Sequence, residues 1–375
     1  MKVVHIITSL GDGGAEHTLY KICKYDRNNK HIVISFKGSQ KYSLLLKKLG
    51  IKVYCLDINF FSIYKFLFLV KLLYYHRPDI VQTWLVHADF VGGIIARLLG
   101  IKNVIWNIRY SNFEIGKAKL ITILIIKLLA KLSFIIPQSI IINSKRAKKI
   151  FIAKGYCEKK LKFIPNGFDF SILKPQNSEK INFKKKNKLK KKIPLIGHVA
   201  RYDKKKDHLN LLYALSLVRS KNINFYCVLV GSNIDNNNIN LISKIKELKL
   251  SEKVKLLGQN DNILQVMNGI DIFIQSSSYG EGFPNVVAES MACSTPCIVT
   301  DVGDAAFIVG KTGWVIMPNN PYSLAKAIEK GINEMGTKNW NKKKLRARLR
   351  VKENFSINKM IDSYNKLWSK TQRVK

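Results

Sequence analysis

The sequence is short of acid. Its 375 residues hold 25 Asp and Glu against 64 Lys and Arg, a formal net charge of +39. Such an excess draws a chain toward polyanions, either nucleic acid or an anionic membrane surface. Lysine accompanied by many Asn and Ile is also what composition bias produces. Cysteine is sparse and scattered: Cys23, Cys55, Cys157, Cys227, Cys293 and Cys297 form no C-x-x-C pair and no Cys/His group at zinc spacing. That excludes a legible zinc module and suits small core residues of a reducing compartment. No D-x-D motif stands at a strand end to hold Mg²⁺ on a diphosphate. Long uncharged apolar runs are missing as well. Phe60 to Tyr75 carries Lys65 and Lys71, and Ile115 to Pro137 carries Lys117, Lys119, Lys127 and Lys131. Charges at those places make a spanning helix expensive, while a basic amphipathic helix lying on a membrane remains open beside a domain helix with one wet face. No helix-turn-helix, zinc-finger or aromatic RNP pattern supports a nucleic-acid reading, which rests on charge alone. The first residues, MKVVHIITSL, are too short an apolar run for a secretory signal and carry His5 without an A-x-A site.

What is present is a repeated alternation of short β-branched runs with helical patterns, the signature of parallel sheets flanked by helices. A chain of this length suits two domains. Val3 to Thr8 reads as a first strand entering a glycine loop, where Gly11, Gly13 and Gly14 let a ligand approach the backbone. A dinucleotide-binding G-x-G-x-x-G loop needs a third glycine where Glu16 stands. Trp84, His87, Arg109 and Tyr110 fall at the C-terminal ends of further strands, the edge where open α/β sheets bind ligands. Each is otherwise an ordinary packed or capping residue. The run NFKKKNKLKKK, Asn182 to Lys192, holds almost no core formers and reads as a solvated linker.

The stretch around which the second half is organised runs from Ser276 to Asp301. An apolar strand, IDIFIQ, gives way to a Gly/Pro loop, then a helix start, then a second strand around Cys297 to Thr300. Such a corner offers backbone N–H groups and the positive end of a helix dipole to phosphate or sugar oxygens. Glu281 lies in the loop and Glu289 about two turns into the expected helix, eight residues on.

The string EGFPNVVAE, with its flanking strands and the following TDVGDAAFIVG, resembles the E-x7-E donor signature of the GT4-type retaining glycosyltransferases. Similar likenesses run along the chain: GGAE at Gly13 to Glu16, QTWLVHADFVGG, WNIRYSN, IPNGFD and ARYDKKKDH. The resemblance implies an α/β protein of GT-B fold, two Rossmann-like doubly wound domains facing across a cleft. It implies residues 1–170 as the acceptor-side domain, 171–192 as linker, 193–355 as the nucleotide-sugar domain and 356–375 as a helix returning to the first. It implies metal-independent, retaining transfer of a hexosyl or N-acetylhexosaminyl group from a UDP- or GDP-sugar, with no further cofactor. The acceptor would be a lipid-linked glycan in surface polysaccharide or lipopolysaccharide synthesis, at the inner face of the cytoplasmic membrane. Arg201 and Lys206 fall where the family sets two cations on the donor diphosphate, and Lys204 and Lys205 read as surface. Glu281 is assigned to sugar hydroxyls and Glu289 to the ribose. The backbone of Gly282, Phe283, Pro284, Asn285 and Val286, with Gly13 and Gly14, would contact the donor. Glu16, Trp84, His87, Arg109 and Tyr110 are the acceptor-side candidates, and the histidine many members carry near Arg109 has no equivalent here. A sugar-nucleotide epimerase or phosphorylase on the same architecture is the alternative.

Overall fold

The computed structural model describes residues 1–58, 63–109, 120–260 and 262–373. The chain divides into two compact units, Met1–Gly167 with Ile357–Lys375, and Phe168–Ser356. Seven strands build the first: β1 Lys2–Ile7, β2 Lys30–Ser35, β3 Lys52–Cys55, β4 Ile80–Trp84, β5 Val104–Ile108, β6 Ser139–Ile142 and β7 Leu161–Phe163. Six build the second: β8 Leu195–Val199, β9 Tyr226–Val230, β10 Val254–Leu256, β11 Ile272–Gln275, β12 Cys297–Thr300 and β13 Trp314–Ile316. The helices of the first unit are α1 Gly14–Tyr25, α2 Lys41–Lys48, α3 Ile63–His76, α4 Val86–Leu98, α5 Leu120–Leu132 and α6 Lys145–Ala153. The second carries α7 Asn177–Lys186, α8 His208–Ser220, α9 Ile239–Glu247, α10 Ile263–Gly269, α11 Asn285–Ala292, α12 Ala305–Val309, α13 Pro321–Glu334 and α14 Lys338–Asn354. The last, α15 Ile357–Arg373, belongs to the first unit again.

Both sheets are parallel throughout, ordered β3-β2-β1-β4-β5-β6-β7 and β10-β9-β8-β11-β12-β13. The central strands are Val/Ile runs buried on both faces, as helix-covered parallel strands must be. In the first unit, α3 to α6 cover one face through Leu69, Ala96, Leu129 and Phe151. The other face is covered by α1, α2 and α15 through Leu19, Leu46, Tyr364 and Trp368. Trp368 is fully buried and its indole N–H donates to Gln82 Oε1 at 2.8 Å. That burial contributes on the order of 2–3 kcal/mol and fixes α15 to the sheet. In the second unit α8, α9 and α13 lie on one face, opposite α7, α10, α11, α12 and α14. Strand order reverses between β1 and β4 and between β8 and β11. Loops leaving such a pair of strands part to opposite sides and leave a crevice at the C-terminal edge, which is where the site residues sit.

Three elements differ from the sequence reading. The lysine run is not a linker: α7 packs on α10, with Phe183 buried among Met267 and Ile270. Two of its four lysines are paired from inside, since Asp271 accepts from Lys180 at 2.5 Å and Lys184 at 3.0 Å. Burial alone would raise the Asp271 pKa, and the two ammonium groups bring it below its usual value. The three-residue β7 and the basic helix α14 went unread.

Candidate functional site

In the second unit, β8 ends at Val199 and the chain loops through Arg201 to Asp207, where a left-handed residue (φ 50°) turns it into α8. The Asp207 carboxylate caps that helix, accepting from the Asn210 N–H at 3.1 Å. The neighbouring loop leaves β11 at Ser276. Its hydroxyl donates to the carbonyls of Lys206 at 2.9 Å and Asp207 at 3.1 Å, and the Ser278 N–H donates to the Lys205 carbonyl at 2.9 Å. These bonds stitch two loops that lie some 70 residues apart in sequence. Across the stitch, Lys206 Nζ donates to Glu281 Oε1 at 2.5 Å, and the Ser277 hydroxyl donates to the same oxygen at 2.7 Å. Both side chains are largely buried, Lys206 19% and Glu281 10% exposed. Burial alone would push the Glu281 carboxyl up. The Lys206 ammonium, aided by Ser277, more than offsets that, so Glu281 titrates below its usual value.

The loop is held from behind by Gly303, whose φ of +62° and close approach both demand glycine: a Cβ there would lie 2.6 Å from the Gly282 carbonyl oxygen. The Asp304 N–H donates to that carbonyl at 2.8 Å. Sequence reading missed Gly303 and Asp304, though both lie in the quoted TDVGDAAFIVG. Arg201 stands on the same loop as Lys206, is exposed, and pairs with Asp203 at 3.3 Å. The helix opened by this loop, α11, has Pro284 at its N-cap and no side-chain cap. Phe283 faces inward, packed against Phe168 and Phe355, so only its backbone is available to a ligand. Glu289 is half-buried and sits one turn into α11 rather than two, because the helix starts at Asn285. The structure thus brings Arg201, Lys206, Glu281 and the 282–286 backbone to one edge of one sheet. This edge can hold an anion with two cations while presenting a carboxylate and helix N–H groups to hydroxyls.

In the first unit, Gly13 and Gly14 open α1. The Glu16 carboxylate folds over Gly13, where a Cβ would lie 2.4 Å from Glu16 Oε2. Glu16 is buried and accepts from the Ser9 hydroxyl at 3.1 Å. His87 is exposed at the start of α4. One acceptor-side candidate is corrected, and a second has internal partners. Trp84 is fully buried and donates to His5 Nδ1 at 3.2 Å, so it is a core residue. Arg109 stacks on Trp84 and spends its donors on Asn107, Thr18, Asn166 and the Tyr364 hydroxyl, clamping α15 to β5. Tyr110 lies outside the described residues. So do Lys117 and Lys119.

Residues 179–350 match the family described as glycosyl transferases group 1. That match spans somewhat under half of the chain. The chain is 27% identical to the capsular polysaccharide biosynthesis glycosyltransferase CapM of Staphylococcus aureus over 286 residues, 74% of each chain. It is 25% identical over 305 residues to the Escherichia coli UDP-Gal:alpha-D-GlcNAc-diphosphoundecaprenol alpha-1,3-galactosyltransferase, covering 80% of this chain and 77% of that one. Among solved structures, Anabaena Alr3699/HepE in complex with UDP matches at a TM-score of 0.87 and 22% identity, covering 99% of this chain and 100% of that one. That likeness shows the GT-B fold.

The buried polar residues of the first unit also hold a group the sequence spacing hid. His5, Cys23 and His31 place ligand-type atoms within 4.8 Å of one another. Their geometry is that of a hydrogen-bonded chain. Trp84 donates to His5 Nδ1, His5 Nε2 and His31 Nδ1 are 3.0 Å apart, and His31 Nε2 meets Asp26 Oδ2 at 3.1 Å. The indole N–H can only donate, so His5 carries its proton on Nε2 and His31 on its own Nε2. Burial pushes the Cys23 thiol up, leaving it a poor ligand at neutral pH.

Proposed function

We propose that the protein is a GT4-type retaining enzyme that moves a hexosyl or N-acetylhexosaminyl group from a UDP- or GDP-sugar to a lipid-linked glycan in surface polysaccharide assembly. The observation carrying this reading is the Lys206–Glu281–Ser277 arrangement at the mouth of α11, beside exposed Arg201. A nucleotide diphosphate leaving a sugar gains negative charge. Preset cations at that point stabilise the transition state more than the ground state. The neighbouring carboxylate serves the sugar hydroxyls, and Glu289, one turn along α11, serves the ribose. Retention through a covalent carboxylate intermediate would need an unencumbered nucleophile. Glu281 is already committed to Lys206 and Ser277, which favours front-face attack assisted by the departing diphosphate. The names of the staphylococcal and E. coli relatives support polysaccharide assembly and a diphosphoundecaprenol-linked acceptor, and HepE's UDP complex supports a uridine donor.

Calorimetry with UDP and GDP tests the assignment. Glu289→Gln is expected to weaken one nucleotide by about tenfold or more, the worth of a charge-assisted hydrogen bond. Glu281→Gln should leave nucleotide affinity within about twofold and lower turnover instead. Wild-type nucleotide binding by both variants, or none by the parent protein, would overturn the reading. An epimerase would release free sugar-nucleotide isomer without any acceptor.

The same proposal places the enzyme at an anionic membrane surface. No helix among the described residues is long and apolar enough to cross a membrane. Two helices on one face of the first unit nonetheless expose apolar side chains among lysines: Leu67, Phe68, Lys71 and Tyr74 on α3, and Leu124, Lys127, Leu128 and Lys131 on α5. Neither helix contains an acidic residue. Each lysine near an anionic leaflet contributes about 1 kcal/mol, screened within a Debye length, and the apolar residues between can enter the interface. Vesicles of anionic lipid should float the protein at low salt and release it at about 0.5 M NaCl, where screening acts over only a few ångströms. Leu124→Glu with Leu128→Glu should stop flotation even at low salt. Equal flotation with neutral vesicles would contradict the model.

A further inference from the structure

A second concentration of positive charge belongs to the first unit. At the opposite edge of the first sheet, where β5, β6 and β7 begin, a cavity of about 540 Å³ is lined by Arg97, Lys102, Lys159, Lys160, Lys162 and Lys370. No carboxylate lines it. None of the six cations is ion-paired with a described carboxylate. Their hydrogen bonds go to backbone carbonyls, as from Lys160 Nζ to Phe134 at 2.5 Å and from Lys162 Nζ to Lys159 at 2.9 Å. The walls add the Ser139 and Thr371 hydroxyls to an apolar floor of Ile136, Pro137 and Leu367. Burial, together with the charge of Arg97, holds the Lys160 ammonium below its usual pKa, so that group gains if an anion arrives.

Like charges gathered without counter-charges repel, and the fold tolerates that repulsion here on the walls of a concave site rather than spreading it over a solvated face. Ammonium, guanidinium and hydroxyl donors without any acceptor carboxylate are the set that recognises phosphate oxygens. We infer that this cavity is a second anion site of the molecule, built to bind a phosphomonoester or diphosphate group independently of the donor loops. The group could be carried by a soluble phosphorylated compound or by a lipid headgroup. Exposed Leu98, Phe134 and Ile135 stand close to the cavity residues in the chain, Ile135 lining it directly.

The test uses the full chain carrying Arg201→Ala, Lys206→Ala and Glu281→Gln, so that the donor loops do not contribute and no buried carboxylate is left unpaired. Titrated with inorganic pyrophosphate in a calorimeter, this protein should bind at a single site. Adding Lys160→Gln and Lys162→Gln should weaken that binding at least tenfold. Adding Lys330→Gln and Lys342→Gln, exposed lysines of the other unit, should leave it unchanged. If Lys160→Gln and Lys162→Gln lower the melting temperature, exposed Lys102 and Lys370 changed to Gln provide the same comparison without a folding defect. No pyrophosphate binding in the starting variant would overturn the inference, as would equal loss in the cavity and control variants. Vesicles containing phosphatidic acid that displace pyrophosphate, where phosphatidylcholine does not, identify the lipid source. Binding undisturbed by either identifies the soluble one. Because the donor loops are disabled throughout, failure of this site leaves the glycosyltransferase reading untouched.

Discussion

Replacing Lys206 by alanine is expected to lower kcat/KM by about 10²-fold or more, the scale on which placed transition-state charge acts. Arg201→Ala should do likewise, and Lys204→Ala, three residues from Arg201 and exposed, should do little. The structure adds a complication that makes the test sharper. Lys206 also neutralises Glu281, whose side chain is only 10% exposed. Removing one partner of such a pair leaves a desolvated carboxylate with Ser277 as its remaining donor. The cost for fully buried pairs is about 3–5 kcal/mol, and the residual exposure here brings the expectation to about 2 kcal/mol. A loss of activity could therefore be a loss of fold. Adding Glu281→Gln to Lys206→Ala removes the stranded charge while keeping its shape. The double variant should recover most of the melting temperature, while its turnover stays far below that of Glu281→Gln alone. Turnover equal to that of Glu281→Gln would mean Lys206 merely supports the loop. Equal losses at 201, 204 and 206 would mean bulk charge, not geometry, is responsible.

The Lys206–Glu281 contact also marks where sequence reading reaches its limit. Each residue was legible within its own motif, ARYDKKKDH and EGFPNVVAE, but the contact spans 75 residues and exists only because β8 and β11 are neighbours at the switch point. The strands themselves were legible, because double-sided burial leaves unbroken Val/Ile runs such as IVQTW and LIGHV. The misread elements share one cause: their apolar signal is thin and their lysines dominate. In α7 a single buried Phe183 and the inward Asp271 decide the matter, and the carboxylate lies some 90 residues downstream. In α14 the core contacts are Trp340, Ala347 and Val351, spaced by seven and four, a helical stripe too sparse to stand out among basic residues. The internal partners of Arg109 were hidden for the opposite reason. Its position at a strand end suggested a ligand contact, but whether a guanidinium faces solvent or is spent on Asn107, Asn166 and Tyr364 depends on α15, more than 250 residues away.

Acidification is expected to unfold this protein well above the pH at which its carboxylates protonate. Three of the buried imidazoles, His5, His198 and His208, are held neutral. Burial, then the nearby His31, keeps the His5 pKa well below the usual value, with Asp26 opposing. Burial lowers His198 to about 4, with Lys206 adding to it. Burial and then His198, its ring 4.7 Å away and edge-on, take His208 to about 2. A histidine whose folded pKa lies below its unfolded value of about 6.5 binds more protons when unfolded. Its contribution is then fully present above about pH 6.5 and falls as pH drops toward the folded value. Each such group costs about 1.4 kcal/mol per pH unit within that window, so His198 and His208 together remove about 3 kcal/mol between pH 6 and 5 from the second unit alone. That is a large part of the 5–15 kcal/mol typical of a domain. The melting temperature should hold steady from pH 8 to 7 and fall steeply between 6.5 and 5. Asp26 and Glu281, both depressed in the fold, extend the decline below about pH 4. Self-repulsion of a chain with a net charge of +39 acts in the same direction, but it is screened by salt, and protonation of a buried ring is not. The slope should therefore survive 0.5 M NaCl. His208→Phe should flatten it by about one proton's worth. A melting temperature that is level from pH 7 to 5, or a decline abolished by salt, would show that these rings are not held neutral by the fold.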